Sequence, residues 1–444
     1  MLVLKFGGTS VGSPDRMKAV AELIRGEEPR IVVLSAVAGT TNQLVETANC
    51  LYRKDKPGAI KCLDGLVLHY EGFIQELYAT KTMAQRAREL VQVHFDYLRS
   101  FTKDLFTQYE ERAVLAQGEL ISTALFQFYL EELGRDSMLL PALDFMRIDK
   151  NGEPDSWYIQ RNLKQELAAQ ANQKVFITQG YICRNAYGEI DNLKRGGSDY
   201  TASLVGAAMQ ASEIQIWTDI DGMHNNDPRV VDNTRPLEQL SFDEAAELAY
   251  FGAKILHPSS VLPARQHDIP VRLKSTMQPE AAGTLISSAS SGGGIKAIAA
   301  KSGIVALRIK SGRMLMAYGF LRSVFEVFER YKTPIDMITT SEVAVSLTID
   351  KTDHLEEIKN ELEEYATVEI DPEQVIVCVV GDLVQETQGE AAKVFQSLKG
   401  IPVRMISYGG SRHNISVLVH QQHRDAALRA LSQGLFVPQN QAVE

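Results

Sequence analysis

Short apolar runs alternate with longer amphipathic stretches over the first two-thirds of the chain. Five runs have the length and composition of buried strands: Leu2–Phe6, Ile31–Ser35, Val175–Thr178, Ile214–Trp217 and Val271–Lys274. Helical periodicity occurs between them, for example in Asp15–Ile24, Met83–Phe101 and Arg112–Leu133. Strands separated by helices over about 280 residues predict an α/β domain with a mostly parallel sheet.

The last third of the chain has a different pattern, which repeats. Residues 324–349 contain a helical stretch, a proline-marked turn and two short apolar strands, and residues 392–419 contain the same series. Both units carry Met-Ile at the same place, which favours two small α+β modules of one kind. A Ser- and Gly-rich stretch, 287–294, precedes them. We expect an α/β domain over 1–286, a linker or mobile loop over 287–294, and the modules over 295–444; a long surface loop inside one domain is the alternative.

Charge and composition exclude several classes of protein. The 444 residues carry a formal net charge of −10, whereas a general nucleic-acid binder needs basic surface. The four cysteines stand far apart without a C-x-x-C pair, so neither a disulfide framework nor a zinc site is expected. No apolar run approaches the roughly 20 residues that span a bilayer. We therefore expect a cytoplasmic protein that binds neither nucleic acid nor membrane.

Small and polar residues follow four of the five strand candidates. These turns are Gly7–Ser10, Ser35–Thr41, Gln179–Gly180 and Thr218–Gly222. In an open α/β sheet, ligands bind beyond the carboxyl ends of the strands, where glycines let backbone N–H groups approach phosphate oxygens. Each turn alone is weak, because glycine at a strand end is commonly only a turn. Neither a P-loop nor a dinucleotide G-x-G-x-x-G is present at the first turn, so another glycine-rich arrangement would have to hold the phosphates.

Charged residues beside these turns indicate where chemistry takes place. Lys5 lies within an apolar strand, which is costly unless its ammonium meets an anion; an exposed edge strand is the alternative. Arg195 offers a fork for a carboxylate, and Asp199 opens a helical pattern, where it is either functional or a helix cap. Glu119 lies in an apolar helical stretch, where a structural salt bridge competes with a binding role.

Three blocks carry a resemblance to a known family. Lys5-Phe-Gly-Gly-Thr-Ser-Val resembles the N-terminal signature of the aspartate kinases within the amino acid kinase family. The blocks beginning at Arg195 and Trp217 resemble two further family motifs in the expected order, and the C-terminal repeats resemble paired ACT modules. The resemblance implies a three-layer α/β/α amino acid kinase fold with a mostly parallel sheet, followed by two α+β (ferredoxin-like) ACT modules. It further implies interleaving, with the first module over about 311–384 and the second over about 295–310 plus 385–444.

The same resemblance implies an activity. The expected reaction converts ATP and L-aspartate to 4-phospho-L-aspartate and ADP, the first step of lysine, threonine and methionine biosynthesis, with Mg²⁺ carried by ATP and no dedicated protein metal site. Feedback inhibition by an amino acid, expected to be L-lysine, and a homodimer or larger assembly through the ACT modules are also implied. The alternatives are another kinase of the family, acting on acetylglutamate, glutamate or a nucleotide, and a non-catalytic amino-acid sensor.

The resemblance also assigns roles to individual residues. The implied catalytic residues are Lys5 and Asp199. The implied aspartate-binding residues are Thr41, Glu119, Arg195, Gly196, Gly197 and Ser198. The implied ATP-binding residues are Lys5, Gly7, Gly8, Thr9, Ser10, Thr218, Asp219, His224, Arg229, Lys254 and Ile255, with His224 standing where relatives often have tyrosine. The implied effector-binding residues are Met314, Gly319, Asp336, Ser341 and Glu342, and Ala317 replaces a polar residue often seen there.

Overall fold

The computed structural model describes residues 1–103, 105–170, 172–193, 196–252, 256–289, 292–311, 318–383 and 389–437. The chain divides into two compact units. The first comprises Met1–Met223, Glu238–Phe242 and Ile255–Ala289, and the second comprises His224–Leu237, Asp243–Lys254 and Ser290–Glu444. Two segments of the expected α/β domain therefore cluster with the C-terminal residues. The expected domain boundaries stay a prediction.

An eight-stranded sheet lies at the centre of the first unit. Its strands are β1 (Leu2–Phe6), β2 (Arg30–Leu34), β3 (Met138–Leu140), β4 (Val175–Gln179), β7 (Glu213–Thr218), β8 (Gln239–Ser241), β9 (Val271–Ser275) and β10 (Thr284–Ser287). The order is β3-β4-β2-β1-β7-β9-β10-β8, and β9–β10 is its antiparallel pair. The five strands expected from the sequence are confirmed to within one residue at each end. A separate hairpin joins β5 (Ile182–Arg184) and β6 (Ile190–Asn192).

Helices of the first unit cover the sheet. They are α1 (Pro14–Leu23), α2 (Thr40–Tyr52), α3 (Lys56–Leu77), α4 (Lys81–Ser100), α5 (Gln108–Glu132), α6 (Ala142–Phe145), α7 (Ser156–Ala168), α8 (Gly197–Met209) and α10 (Leu262–Gln266). Leu4 and Phe6 of β1 join the apolar core formed with α1, α3, α4 and α5. Because successive strand residues face opposite sides, Lys5 points to the other face, on which α8 packs.

The second unit contains a six-stranded antiparallel sheet. Its strands are β11 (Gly294–Lys310), β12 (Ile338–Thr340), β13 (Ala344–Ile349), β14 (Thr367–Asp382), β15 (Met405–Tyr408) and β16 (Asn414–His420), in the order β12-β13-β11-β14-β16-β15. Its helices are α9 (Phe242–Tyr250, within this unit from Asp243), α11 (Phe320–Arg330), α12 (Leu355–Glu363), α13 (Glu390–Ser397) and α14 (Arg424–Phe436). The repeated helix–strand–strand series predicted from the sequence is confirmed.

Two apolar clusters lie on this sheet, and the long strands β11 and β14 contribute to both. One cluster contains Val305, Leu307 and Ile309 of β11 and Val368 of β14, together with α11 and α12. The other contains the earlier part of β11, the later part of β14, α13 and α14. Each cluster is therefore the core of one four-stranded α+β module, βαββαβ in chain order for the first and ββαββα for the second, and the modules share their long strands. Among the described residues, no helix has the length and apolar character that crossing a membrane requires.

Candidate active site

The carboxyl ends of four parallel strands meet at one edge of the first unit's sheet. Phe6, the last residue of β1, lies opposite Leu34 of β2 and Trp217 of β7. Leu34 in turn lies opposite Gln179, the last residue of β4. The four turns singled out in the sequence therefore begin side by side.

Lys5 and Asp199 form an ion pair at this edge. The Lys5 Nζ lies 2.6 Å from the Asp199 Oδ1, and the two side chains are 12% and 14% exposed. β1 lies between β2 and β7 in the sheet, so Lys5 does not lie on an exposed edge strand. Asp199 occupies the first turn of α8, whereas Gly196 is the residue that precedes the helix. The lysine therefore has a buried anionic partner, and together they form a polarised pair facing the turn at Gly7.

The N-terminus of α8 opens toward the same edge. Gly196 adopts a left-handed conformation with φ 75°, and no side chain among the described residues caps the helix. The first backbone N–H groups of a helix lack intrahelical acceptors and carry the positive end of its dipole, which suits an anion. The Ser35 hydroxyl donates to the Ser198 Oγ over 2.9 Å and ties this helix start to the end of β2.

Glu119 is buried on α5 with one oxygen unused. Its Oε1 accepts a hydrogen bond from the Ala36 N–H over 3.3 Å, whereas Oε2 has no hydrogen-bond partner among the described residues. Burial raises the pKa of Glu119 to about 8, and the Ala36 N–H opposes this shift. No ion pair of Glu119 occurs within the described part of the chain, so the salt-bridge alternative has no partner there. The geometry leaves a carboxylate oxygen that suits an incoming ammonium.

The loops around Glu119 are closely packed. A Cβ on Gly118 would lie 2.8 Å from the Ala36 Cβ, so glycine lets α5 approach the β2 turn. Thr41 lies in the first turn of α2, beside buried Thr40, whose hydroxyl is 2.9 Å from the Tyr70 hydroxyl. Thr41 and Glu119 are thus positioned from two elements that meet the same turn.

The first glycine-rich turn is fixed to the neighbouring strand. The Gly7 N–H donates to the Trp217 carbonyl, and the Ser10 hydroxyl donates to the same oxygen over 3.3 Å. Thr9 is exposed, whereas Ser10 is fully buried. Thr218 and Asp219 come directly after Trp217 in the chain, and the Thr218 hydroxyl donates to the Asp219 Oδ1 over 3.0 Å. Gly7, Gly8, Thr218 and Asp219 therefore border the same edge as Lys5.

The remaining candidates for nucleotide binding belong to the second unit or lie outside the described residues. His224 and Arg229 belong to the second unit. The Arg229 guanidinium forms a bidentate pair with Asp227, with both N–O distances 2.9 Å, and is 82% exposed. Arg195, Lys254 and Ile255, like Met314 among the effector candidates, lie outside the described residues.

The effector candidates fall into separate groups on one chain. Asp336 precedes β12 by two residues, and Ser341 and Glu342 form the turn after it. Five residues of extended chain span about 16 Å, so one chain does not bring Asp336 together with Ser341. Gly319 precedes α11 with φ 92°. Ser341 and Glu342 are exposed.

Two contributors to this edge were not singled out as site residues from the sequence. The Ala36 N–H positions Glu119, and the Ser35 hydroxyl positions Ser198. Both lie in a turn recognised as polar, but nothing in a turn's composition shows which atom faces which partner. Among the described residues, no group of three or more His, Cys, Asp or Glu side chains is arranged to hold a metal ion.

Comparison with known proteins identifies similarities over the whole chain. Residues 1–275 match the amino acid kinase family, and residues 377–435 match an ACT domain. Lysine-sensitive aspartokinase 3 of Escherichia coli is 35% identical over 455 residues, covering 98% of this chain and 99% of that protein. Aspartokinase 2, chloroplastic, of Arabidopsis thaliana is 34% identical over 466 residues, covering 98% and 84%.

Two crystal structures of E. coli aspartokinase III are also similar. The complex with aspartate and ADP, in the R-state, has a TM-score of 0.83 at 33% identity and covers 98% of this chain and 100% of that one. The complex with lysine and aspartate, in the T-state, has the same TM-score and identity and covers 98% and 99%.

Proposed function

Since the chain belongs to the aspartokinases of the amino acid kinase family, we propose that it transfers the γ-phosphate of ATP to the side-chain carboxylate of L-aspartate. The products are 4-phospho-L-aspartate and ADP, and the amino acid effector is L-lysine. The observation that carries the proposal is the meeting, at one sheet edge, of the Lys5–Asp199 pair and the unused oxygen of buried Glu119. The resemblance stated from the three sequence blocks is confirmed by the full-length similarity.

The proposed site residues divide the work between binding and charge neutralisation. The Glu119 Oε2 takes the α-ammonium of aspartate, and Arg195 takes its α-carboxylate. The Lys5 ammonium then lies on the transferring phosphoryl group, with Asp199 holding the lysine in place. A carboxylate oxygen of aspartate forms the new bond to phosphorus while the bond to the ADP oxygen breaks. Because the nucleophile is already an anion, no general base is needed, and catalysis rests on positioning and electrostatics.

The nucleotide is proposed to occupy the glycine-rich turn. Gly7, Gly8, Thr9 and Ser10 line its phosphates, and Thr218 and Asp219 lie beside them. The family resemblance implies four further nucleotide-binding residues, which are His224, Arg229, Lys254 and Ile255. Mg²⁺, which neutralises phosphate charge when bound, suits phosphate oxygens, retained waters and the oxygens of Asp199 and Asp219. A protein-only metal site is not part of the proposal.

The effector groups favour an assembly of two chains. Asp336 and the Ser341–Glu342 turn are separated along β12 by more than the length of one amino acid. We propose that a homodimer through the ACT modules brings Asp336 of one chain near the turn of its partner, with Gly319 and Met314 completing the site. Inhibition then follows from a change in the balance of two dimer arrangements.

Acyl phosphate trapping with hydroxylamine tests the activity directly. ATP-dependent hydroxamate is expected from L-aspartate, and it is expected to fall when L-lysine is added. Acetylglutamate and glutamate serve as competing acceptors in the same assay. Product from either of these instead of aspartate would contradict the proposed substrate, and no product from any acceptor would favour a non-catalytic sensor.

The pH dependence of kcat/KM for aspartate is expected to report Glu119. Burial raises the Glu119 pKa to about 8, so the free folded enzyme holds a proton that must leave before the ammonium of aspartate binds. The kcat/KM is therefore expected to rise with pH up to about 8 and then level, because this parameter follows the ionisation of the free enzyme. Glu119→Gln is expected to lose this rise; a profile identical to that of the wild type would exclude Glu119 as its source.

Gly180→Ala is expected to lower kcat/KM for aspartate by about tenfold, since small misplacements of catalytic groups are costly. A Cβ at this position would lie 2.5 Å from the Ser198 Cβ and Oγ, which would push the start of α8 away from the end of β4. Gly72→Ala is the matched control, because a Cβ on Gly72 of α3 meets nothing within 4 Å. Equal steady-state kinetics for the two variants would contradict a role for this close contact.

A further inference from the structure

The carboxylate of Asp336, one of the proposed effector residues, already carries a hydrogen-bonded ammonium. The Lys301 Nζ lies 2.7 Å from the Asp336 Oδ1 and 2.9 Å from the Asp350 Oδ2. The Tyr250 hydroxyl donates to the same Asp336 oxygen over 2.6 Å. All four residues belong to the second unit. An internal lysine thus occupies the position that an effector ammonium would need.

Burial makes the two carboxylates unequal partners of Lys301. The Asp336 side chain is 0% exposed, and its Oδ2 has no hydrogen-bond partner among the described residues. The Asp350 side chain is 34% exposed. A buried carboxylate that loses its cation costs several kcal/mol, whereas an exposed one is stabilised by water. Asp336 therefore requires an ammonium from some source, and Asp350 does not.

The surroundings of Lys301 allow it to change partners. Its ammonium lies 4.4 Å from the centre of the Tyr250 ring, which provides a cation–π contact in addition to the two carboxylates. Burial raises the pKa of the Tyr250 hydroxyl, and its hydrogen bond to Asp336 raises this pKa further. The hydroxyl therefore keeps its proton and remains a donor. If Lys301 leaves Asp336, its ammonium keeps Asp350 and the ring, so the lysine is not left without a partner, and Asp336 needs a replacement ammonium.

We propose that Lys301 is a built-in competitor for the effector: its ammonium holds Asp336 in the free enzyme, and the ammonium of the bound amino acid displaces it onto Asp350. This inference rests on the proposed effector site and deepens it. The exchange conserves charge, because one ammonium replaces another on Asp336. The apparent association constant of the effector is then the intrinsic constant multiplied by the fraction of molecules in which Asp336 is not paired with Lys301. Lys301 and Asp350 therefore set the concentration at which the enzyme responds, without touching the effector.

The experiment is isothermal titration of L-lysine, L-threonine and L-methionine into full-length wild type and variants. Lys301→Met keeps the apolar stem but removes the competing ammonium, and it is expected to tighten effector binding by about tenfold. Asp350→Asn, on the half-exposed side, removes the second partner of Lys301 and is expected to weaken binding by about tenfold. Lys310→Met is the matched control, because Lys310 lies on the same strand and pairs with exposed Glu369.

The outcomes separate this proposal from the one on which it rests. Opposite shifts for Lys301→Met and Asp350→Asn, with Lys310→Met unchanged, support the competitor. Suppose that the wild type binds the effector. Unchanged affinity in Asp350→Asn, or weaker binding in Lys301→Met, then contradicts the competitor role of Lys301 but not the proposed effector site. Binding of no amino acid by the wild type or by Lys301→Met overturns the effector site and the competitor together. Binding by Lys301→Met alone supports both, with Lys301 fully blocking the wild type.

Discussion

Replacing Lys5 by methionine is expected to lower kcat for aspartate phosphorylation by about a thousandfold, because one preorganised charge is removed from the transferring phosphoryl group. The Lys5 ammonium is preorganised by its surroundings, since it is 12% exposed and lies 2.6 Å from the Asp199 carboxylate. KM for aspartate is expected to change little, since Lys5 is proposed to contact phosphate and not the amino acid. Steady-state kinetics with coupled ADP detection measures both parameters.

Two further experiments test whether the effect of Lys5→Met is specific to this site. Lys174→Met removes a lysine that is 57% exposed and pairs with Glu27 at the surface, so its kinetics are expected to match the wild type. Asp199→Asn combined with Lys5→Met forms a double-mutant cycle, in which strong non-additivity is expected because the two groups act as a pair. Activity of Lys5→Met within tenfold of the wild type would contradict the proposed role.

Replacing Glu119 by glutamine is expected to lower kcat/KM for aspartate by roughly a hundredfold, or about 3 kcal/mol, because the α-ammonium loses its buried carboxylate. The free enzyme is expected to become more stable in the same variant. Because the folded-state pKa of Glu119 is raised from 4.5 to about 8, the folded chain holds a proton that the unfolded chain releases. This carboxyl therefore lowers stability progressively as pH rises from about 4.5 to about 8. Glutamine has no charge to bury, so this loss of stability at higher pH is not expected in the variant.

Thermal melts and kinetics together test Glu119. The melting temperature of Glu119→Gln at pH 8 without substrate is expected to exceed that of the wild type, while activity falls. Glu131→Gln, at the end of the same helix, is the matched control, because Glu131 is 34% exposed and pairs with Arg86. Lower stability with unchanged kcat/KM would indicate that Glu119 has a structural role only.

The sheet edge could be predicted from the sequence because its signals are local. An apolar strand followed by small residues indicates a strand end, and Lys5 stands out as a charge inside such a strand. The pairing of Lys5 with Asp199 could not be predicted, because it depends on how α8 packs on the odd-numbered face of β1. The same limit applies to the Ala36 N–H, whose contact with Glu119 joins residues 83 positions apart.

The short edge strands and the surroundings of the effector residues could not be predicted from the sequence, for different reasons. β3 and β8 have three residues each, too few for a period of two to be distinguished from chance. Asp336 was singled out as an effector residue, but its burial against Lys301 and Tyr250 follows from the packing of β11 and α9. A charge pattern along the chain does not show which acidic residue already has a partner.

The shared long strands of the ACT modules also constrain how the protein is made. The ribosome delivers the chain from its N-terminus, and the first module is complete once β14 has begun to emerge. The early part of β11, which includes buried Ala297 and Ile298, must wait until residues 374–382 of β14 have been synthesised, and β16, which pairs with that part of β14, follows later still. During that interval a nascent chain presents an unpaired apolar strand, the type of surface that chaperones bind and that aggregates in crowded expression hosts.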